Sequence, residues 1–245
     1  MHIASVRPTS HAMALKCLGA MALLMLCAPL IMLAQKPYFR PFRHWNDRMA
    51  VFRSQTHPQK GCIVMIGNSL TEFGRDWNKK LSADTVIVNR GIMSDYAAGM
   101  SRRVNEVKQL EPSVVFLSCG INDLSHALTA QRVAADVIAL IGRMHNEMPS
   151  VRLYVQSILP INESFGRWKS LSGRTDDIPV ANALIKEYCD SVGIQYVDLF
   201  SAFVKPGTNI MRRELTADGL HLTSMGYKVW ASVLQPLIDA LKEEQ

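Results

Sequence analysis

The chain has 245 residues, 48% of them hydrophobic, and a formal net charge of +6. One α/β domain of this length can bury a sizeable core. The basic residues are scattered, with only short pairs such as Arg102-Arg103 and Arg212-Arg213, so no stripe is available to follow a nucleic acid and that class of partner is excluded.

Residues 17–34, CLGAMALLMLCAPLIMLA, form an uncharged apolar run after Lys16. A basic flank and such a run read as a secretory signal. The run is also just long enough to span a bilayer. Pro29 and the small residues near its end favour cleavage over anchoring. Ala34 suits the last position before a cut, although Met32 is larger than that site prefers. Cys27 is a poor lipid-attachment residue because Leu26 precedes it, and Met13 is an alternative start. The expectation is export to the periplasm or beyond, with residues 1–35 as a cleaved signal or, failing that, the only membrane anchor. Outside this leader lie Cys62, Cys119 and Cys189. They have no CxxC spacing and frame neither disulfides nor a zinc site. Cys62 and Cys119 sit in apolar runs and read as small buried hydrophobes.

Residues 36–60 are a polar and aromatic lead-in, broken by Pro37, Pro41 and Pro58. A short helix over 45–53 is expected to lie on the domain. The domain itself is expected over 61–245. Apolar runs at 62–66, 85–89, 113–118, 151–156 and 195–198 predict five strands. They are near-continuous rather than alternating, which suggests a parallel sheet covered on both faces. Between them, helical spacing predicts helices over 95–110, 129–147 and 179–192, the last with Pro179 in its first turn. A final helix from Ser224 should kink at Pro236. This β-α alternation predicts a three-layer α/β/α domain. Residues 160–178 and 201–217 form two long loops at one edge of the sheet. Such loops often shape a substrate site, though ordinary surface excursions look the same.

The run Ile63-Val64-Met65-Ile66-Gly67-Asn68-Ser69 places a serine just past the end of the first strand, at the edge where open α/β sheets bind ligands. Ser69 is either a nucleophile or a helix cap. A serine hydroxyl needs a base, usually a histidine oriented by a carboxylate. Of seven histidines, His221 stands in Asp218-Gly219-Leu220-His221, before the last helix. A turn with this spacing lets the carboxylate fold back onto Nδ1 and leaves Nε2 facing outward. A capping aspartate beside a surface histidine has the same signature. Donors for a developing oxyanion are offered by the Gly91 N–H and the Asn122 side-chain amide, at two further strand ends. Each also reads as plain turn or helix-start chemistry.

Gly67-Asn68-Ser69-Leu70, Gly91, Gly120-Ile121-Asn122-Asp123 and Asp218-Gly219-Leu220-His221 resemble, in order and spacing, the four sequence blocks of the SGNH hydrolases, also called GDSL esterases. The resemblance covers about residues 60–240. It implies a flavodoxin-like sheet in the order 2-1-3-4-5, with no metal and no organic cofactor. It implies Ser69 as nucleophile, His221 as base and Asp218 as its orienter. The oxyanion hole it implies comprises the Ser69 and Gly91 N–H groups and the Asn122 side chain. Asn68 stands where the GDSL name has aspartate, as in the branch resembling platelet-activating-factor acetylhydrolase and sugar esterases. Thr71 replaces the second glycine of G-x-S-x-G, which argues against an α/β-hydrolase elbow. The implied activity is hydrolysis of small acyl esters, most readily acetyl esters of carbohydrate. The rivals are a lipid or lysophospholipid acylhydrolase and a non-catalytic carbohydrate-binding protein. Trp77, Phe165 and Trp168 are candidates to stack on a sugar ring, and Gln156, Asn162 and Arg167 to supply polar contacts. Each aromatic reads equally as packing.

Overall fold

In the computed structural model, residues 39–55 and 60–243 are described. The leader at 17–34, its two cysteines and the breakers Pro37 and Pro58 lie outside them. Five parallel strands carry the fold: β1 (Ile63–Gly67), β2 (Ile87–Gly91), β3 (Val114–Ser118), β4 (Arg152–Gln156) and β5 (Gln195–Val197). Their order is 2-1-3-4-5, as the resemblance implies. Every residue of β1 and β3 is buried, which is what central strands covered on both faces require. Cys62, Cys119 and Cys189 are buried and free.

The second strand lies two residues later than the apolar run suggests. It continues through Arg90, whose buried guanidinium pairs with Glu106 at 2.7 Å and lies over the Phe52 ring. An arginine satisfied in this way is accepted in a strand where hydropathy alone ends it. At the outer edge of β2, Asn78 accepts from the Ile87 N–H at 2.8 Å and donates to the Ile87 C=O at 2.9 Å. Asn89 Nδ2 donates to the carbonyls of Thr71, Glu72 and Arg75.

The lead-in is more integrated than expected. Its helix, α1 (Arg43–Ser54), buries Trp45, Met49 and Phe52. With Phe39 they form a small second core against Ile92 and Ala98, just beyond β2. After β1 comes the one-turn helix α2 (Ser69–Glu72). The helix expected over 95–110 is two pieces, α3 (Ala97–Arg102) and α4 (Val104–Lys108). The break falls at Arg103, whose side chain turns inward and is fully buried. Then follow α5 (Ile121–Ser125), α6 (Ala130–Glu147) and α7 (Asp177–Val192). Thr129 caps α6 by accepting from the Arg132 N–H, as a threonine before a helix should. A short α8 (Phe200–Phe203) leads to the final helix α9 (Ser224–Glu243), which continues through Pro236. Helices α3, α6 and α7 pack together, and α9 packs with α8 and the turn at Arg213–Leu215.

Candidate active site

The turn after β1 lifts Ser69 to the carboxyl edge of the sheet. Asn68 shapes it: its Oδ1 accepts from the Leu70 N–H at 2.9 Å, starting α2 at Ser69. As the first helical residue, Ser69 has an N–H with no acceptor inside the helix. Its Oγ lies 3.1 Å from Nε2 of His221. On the other side of the ring, Nδ1 lies 2.8 Å from Asp218 Oδ2. With Nδ1–H donating a hydrogen bond to that carboxylate, Nε2 is the acceptor for the serine hydroxyl.

The loop at 216–223 is built to hold this geometry. Asp218 Oδ1 accepts the N–H groups of Leu220 and His221, while Oδ2 takes the ring. Burial pushes the Asp218 carboxyl up. The bonds from His221 and Leu220 outweigh that and hold it below the usual carboxylate range. The Gly219 N–H donates to Thr216 Oγ1, and the Asn162 N–H donates to the Gly219 carbonyl. Phe73 and Trp168 flank the imidazole, with ring centroids at 5.2 and 5.1 Å.

Asn122 is the second residue of α5, which follows Gly120, a residue at φ 124° where an added Cβ would lie 2.4 Å from Ile158 Cδ1. Glycine is therefore required there. The Asn122 amide donates one hydrogen to the Asp95 carbonyl at 2.8 Å and has a second to give. Its neighbour Asp123 is wholly buried and accepts from the Ala97 N–H. Burial raises its carboxyl to about 7, against the opposing pull of that N–H. Between the ordinary carboxylate range and about pH 7, the folded chain holds a proton that the unfolded chain has lost. This group therefore makes stability fall as pH rises through that window and has no further effect above it. Asp123→Asn, which keeps the acceptor oxygen, is expected to flatten the fall in urea unfolding between pH 5 and pH 8. An unchanged slope would place the titration elsewhere.

Gly91 does not fit the donor role expected of it. The next N–H, of Ile92, bonds inward to the Gly67 carbonyl, so the Gly91 N–H points off the outer edge of β2. There it donates to Asn89 Oδ1 at 2.9 Å. The glycine is needed for close approach instead: an added Cβ would lie 2.2 Å from the Glu72 nitrogen.

The turn that follows was missed as a source of a donor. The Asp95 N–H bonds the Ile92 carbonyl, and Ser94 within that turn sits at φ 63°. Its N–H has no partner among the described residues. It stands between Ile92, tied to Gly67, and Asp95, tied to Asn122. A non-glycine residue in this conformation costs roughly 1–2 kcal/mol, and the surroundings hold it. Glu72 accepts from the Met93 N–H at 2.5 Å, and His44 and Arg48 of α1 grip the same carboxylate at 3.0 and 3.3 Å. Positive φ at a serine leaves no mark in a single sequence.

The six candidate substrate contacts separate. Trp77 is fully buried, edge-on to Trp230 and Tyr227, with its indole N–H on the Thr71 carbonyl; it is a core residue. Gln156 is buried and accepts from the Trp230 indole at 2.6 Å. Asn162 is buried, ties the two long loops together through Met211, and meets the Asp218–His221 turn through Gly219. The Arg213 guanidinium covers the Phe165 ring at 4.6 Å. Arg167 and Trp168 are exposed, and Trp168 alone of the six reaches the His221 ring. Among the described residues no group of three His, Cys, Asp or Glu side chains is placed to hold a metal.

Fold and sequence together define a class. Residues 65–229 match the GDSL-like Lipase/Acylhydrolase family, and the chain belongs to it. It is a carboxylic ester hydrolase. The platelet-activating factor acetylhydrolase IB subunit alpha2 of Homo sapiens is 24% identical over 187 residues, covering 74% of this chain and 78% of that one. The subunit beta homolog of Drosophila melanogaster is 22% identical over 206 residues, covering 82% and 86%. A GDSL-like lipase of Bacteroides thetaiotaomicron shares the fold at a TM-score of 0.68 and 20% identity, covering 80% of this chain and 98% of that one.

Proposed function

We propose that the protein is a serine esterase for small acyl esters, acting through Ser69, His221 and Asp218 by way of an acyl-enzyme. The observation that carries this is the continuous chain from Ser69 Oγ to His221 Nε2 and from Nδ1 to Asp218 Oδ2, at 3.1 and 2.8 Å. His221 takes the hydroxyl proton as Ser69 attacks the ester carbonyl, then gives it to the departing alcohol. Water repeats the exchange and frees the acid. The oxyanion is held by the Ser69 N–H, the second Asn122 amide hydrogen and the Ser94 N–H, the last in place of Gly91.

An acetyl ester of a carbohydrate is the preferred substrate. Trp168 is exposed beside the histidine, and a sugar ring stacks on such a face. The relatives are named as acetylhydrolases, which supports a short acyl group. The same names refer to platelet-activating factor, and this favours a lipid ester as the second reading. Hydrolysis of p-nitrophenyl acetate, butyrate and decanoate separates the two. The short-acyl reading requires turnover to fall with chain length. A preference for decanoate would replace it with the lipid reading.

Export belongs to this proposal and rests on the apolar run at 17–34. Mass spectrometry of the secreted product should find a mature N-terminus near Gln35. A mass that includes residues 1–34 would reject cleavage.

A further inference from the structure

A groove of about 380 Å³ opens along the start of α9, and it shares Phe73 with the surroundings of the His221 ring. One wall is a single face of that helix: Ser224, Tyr227, Lys228 and Ala231 at helical spacing. The facing wall is Phe73 with Lys79 and Lys80, from the segment after α2. Phe73 belongs to both places, since it also packs on the His221 ring. From Ser224 to Ala231 the helix rises ~10 Å, which is the length of this wall.

Its chemistry is one-sided. Three lysines line it and no acidic side chain does. Lys80 is half-buried, with its ammonium 5.6 Å above the Tyr227 ring. Lys79 reaches Asp76 only at 3.9 Å, outside the groove. Lys228 is exposed, and no acidic partner faces it among the described residues. Cations gathered over aromatic walls attract an anion more strongly than the same charges spread over open surface. Such a lining is unsuited to a long apolar acyl chain and too roomy for an acetyl group.

We infer that this groove is a subsite for a carboxylate on the alcohol part of the substrate, which makes the preferred substrate an ester of an acidic saccharide. Phe73, 41% exposed, offers a face to the sugar ring, and Lys80 and Lys228 meet the carboxylate. The inference rests on the esterase reading for its position but not for its test.

Two measurements on the full chain examine it. The first is kcat/KM for an O-acetylated methyl hexuronoside against the matching neutral O-acetylated methyl hexoside. The acid should be preferred by 10-fold or more at low salt, and the preference should shrink at 0.5 M NaCl. In Lys80→Gln/Lys228→Gln the ratio should fall towards one through a rise in KM for the acid. Lys186→Gln, on the distant α7, should keep the ratio. The second is calorimetric binding of the unacetylated hexuronoside and hexoside, which needs no turnover. If no ester is hydrolysed yet the hexuronoside binds and the double variant loses it, the esterase reading fails and the subsite stands. Equal kcat/KM and equal binding for the two sugars would overturn the subsite. So would lysine-dependent binding to phosphatidylglycerol vesicles without any preference for the hexuronoside.

Discussion

Ser69→Ala is expected to lower ester turnover by about 10⁴- to 10⁶-fold, and His221→Ala by a similar factor. The two groups act as one unit. Without the hydroxyl there is no acyl-enzyme, and without Nε2 at 3.1 Å the hydroxyl keeps its proton. The double variant should therefore be scarcely worse than either single one. Asn122→Ala acts differently. It removes one donor to the oxyanion, and kcat should fall ~10²- to 10³-fold with KM little changed. Pre-steady-state release of p-nitrophenol checks the scheme directly: a burst in the wild type, none in the serine variant. Full turnover by Ser69→Ala would end the proposal.

The second large effect is on stability and lies behind the site. Arg103 is wholly buried. Its Nε holds Asp95 at 2.8 Å, and its two terminal nitrogens hold the carbonyls of Arg90 and Gly67 at 2.8 and 3.1 Å. One side chain thus ties the ends of β1 and β2 to the turn carrying Ser94. Arg103→Met leaves the buried Asp95 carboxylate without its cation and takes one donor from each of the Arg90 and Gly67 carbonyls, and should destabilise the fold by ~3–5 kcal/mol. Removing the stranded charge as well, in Asp95→Asn/Arg103→Met, should restore part of the loss. Urea unfolding of the wild type and these two variants measures both numbers. A cost under ~1 kcal/mol, typical of an exposed pair, would mean that water reaches this cluster once the guanidinium is gone.

These two regions also show what a sequence can and cannot disclose. The strands and their order were legible because buried parallel strands must be apolar throughout, and because four short motifs stand at their ends. The closeness of Asp218 to His221 was legible too, since a three-residue spacing across a glycine turn brings the groups together. Arg103 and Asp95 were not: an arginine in a helical run reads as a solvated face until its partner is known to be buried beside it. Gly91 misled because a glycine at a strand end has two uses, to free an N–H or to admit a neighbour, and one letter serves for both. Trp77 and Gln156 lie near the same sheet edge in sequence, but their polar atoms serve the core, holding Thr71 and Trp230. Trp168 differs from them in being exposed and in reaching the His221 ring, which is a property of the fold.

The treatment of the outer edge of β2 has a consequence for association through the sheet. A parallel sheet ending in a bare strand is a template, and any extended segment that meets it can add on and propagate. Here the Asn78 side chain imitates the missing neighbour, offering an acceptor to the Ile87 N–H and a donor to its C=O. Asn89 turns the Gly91 N–H back onto its own strand. Among the described residues the edge is thus met at Ile87 and Gly91 by two side-chain amides. Amides carry no charge, so the closure does not depend on pH or salt. A second sheet pairing onto this edge would have to displace those amides first, at any pH and any ionic strength.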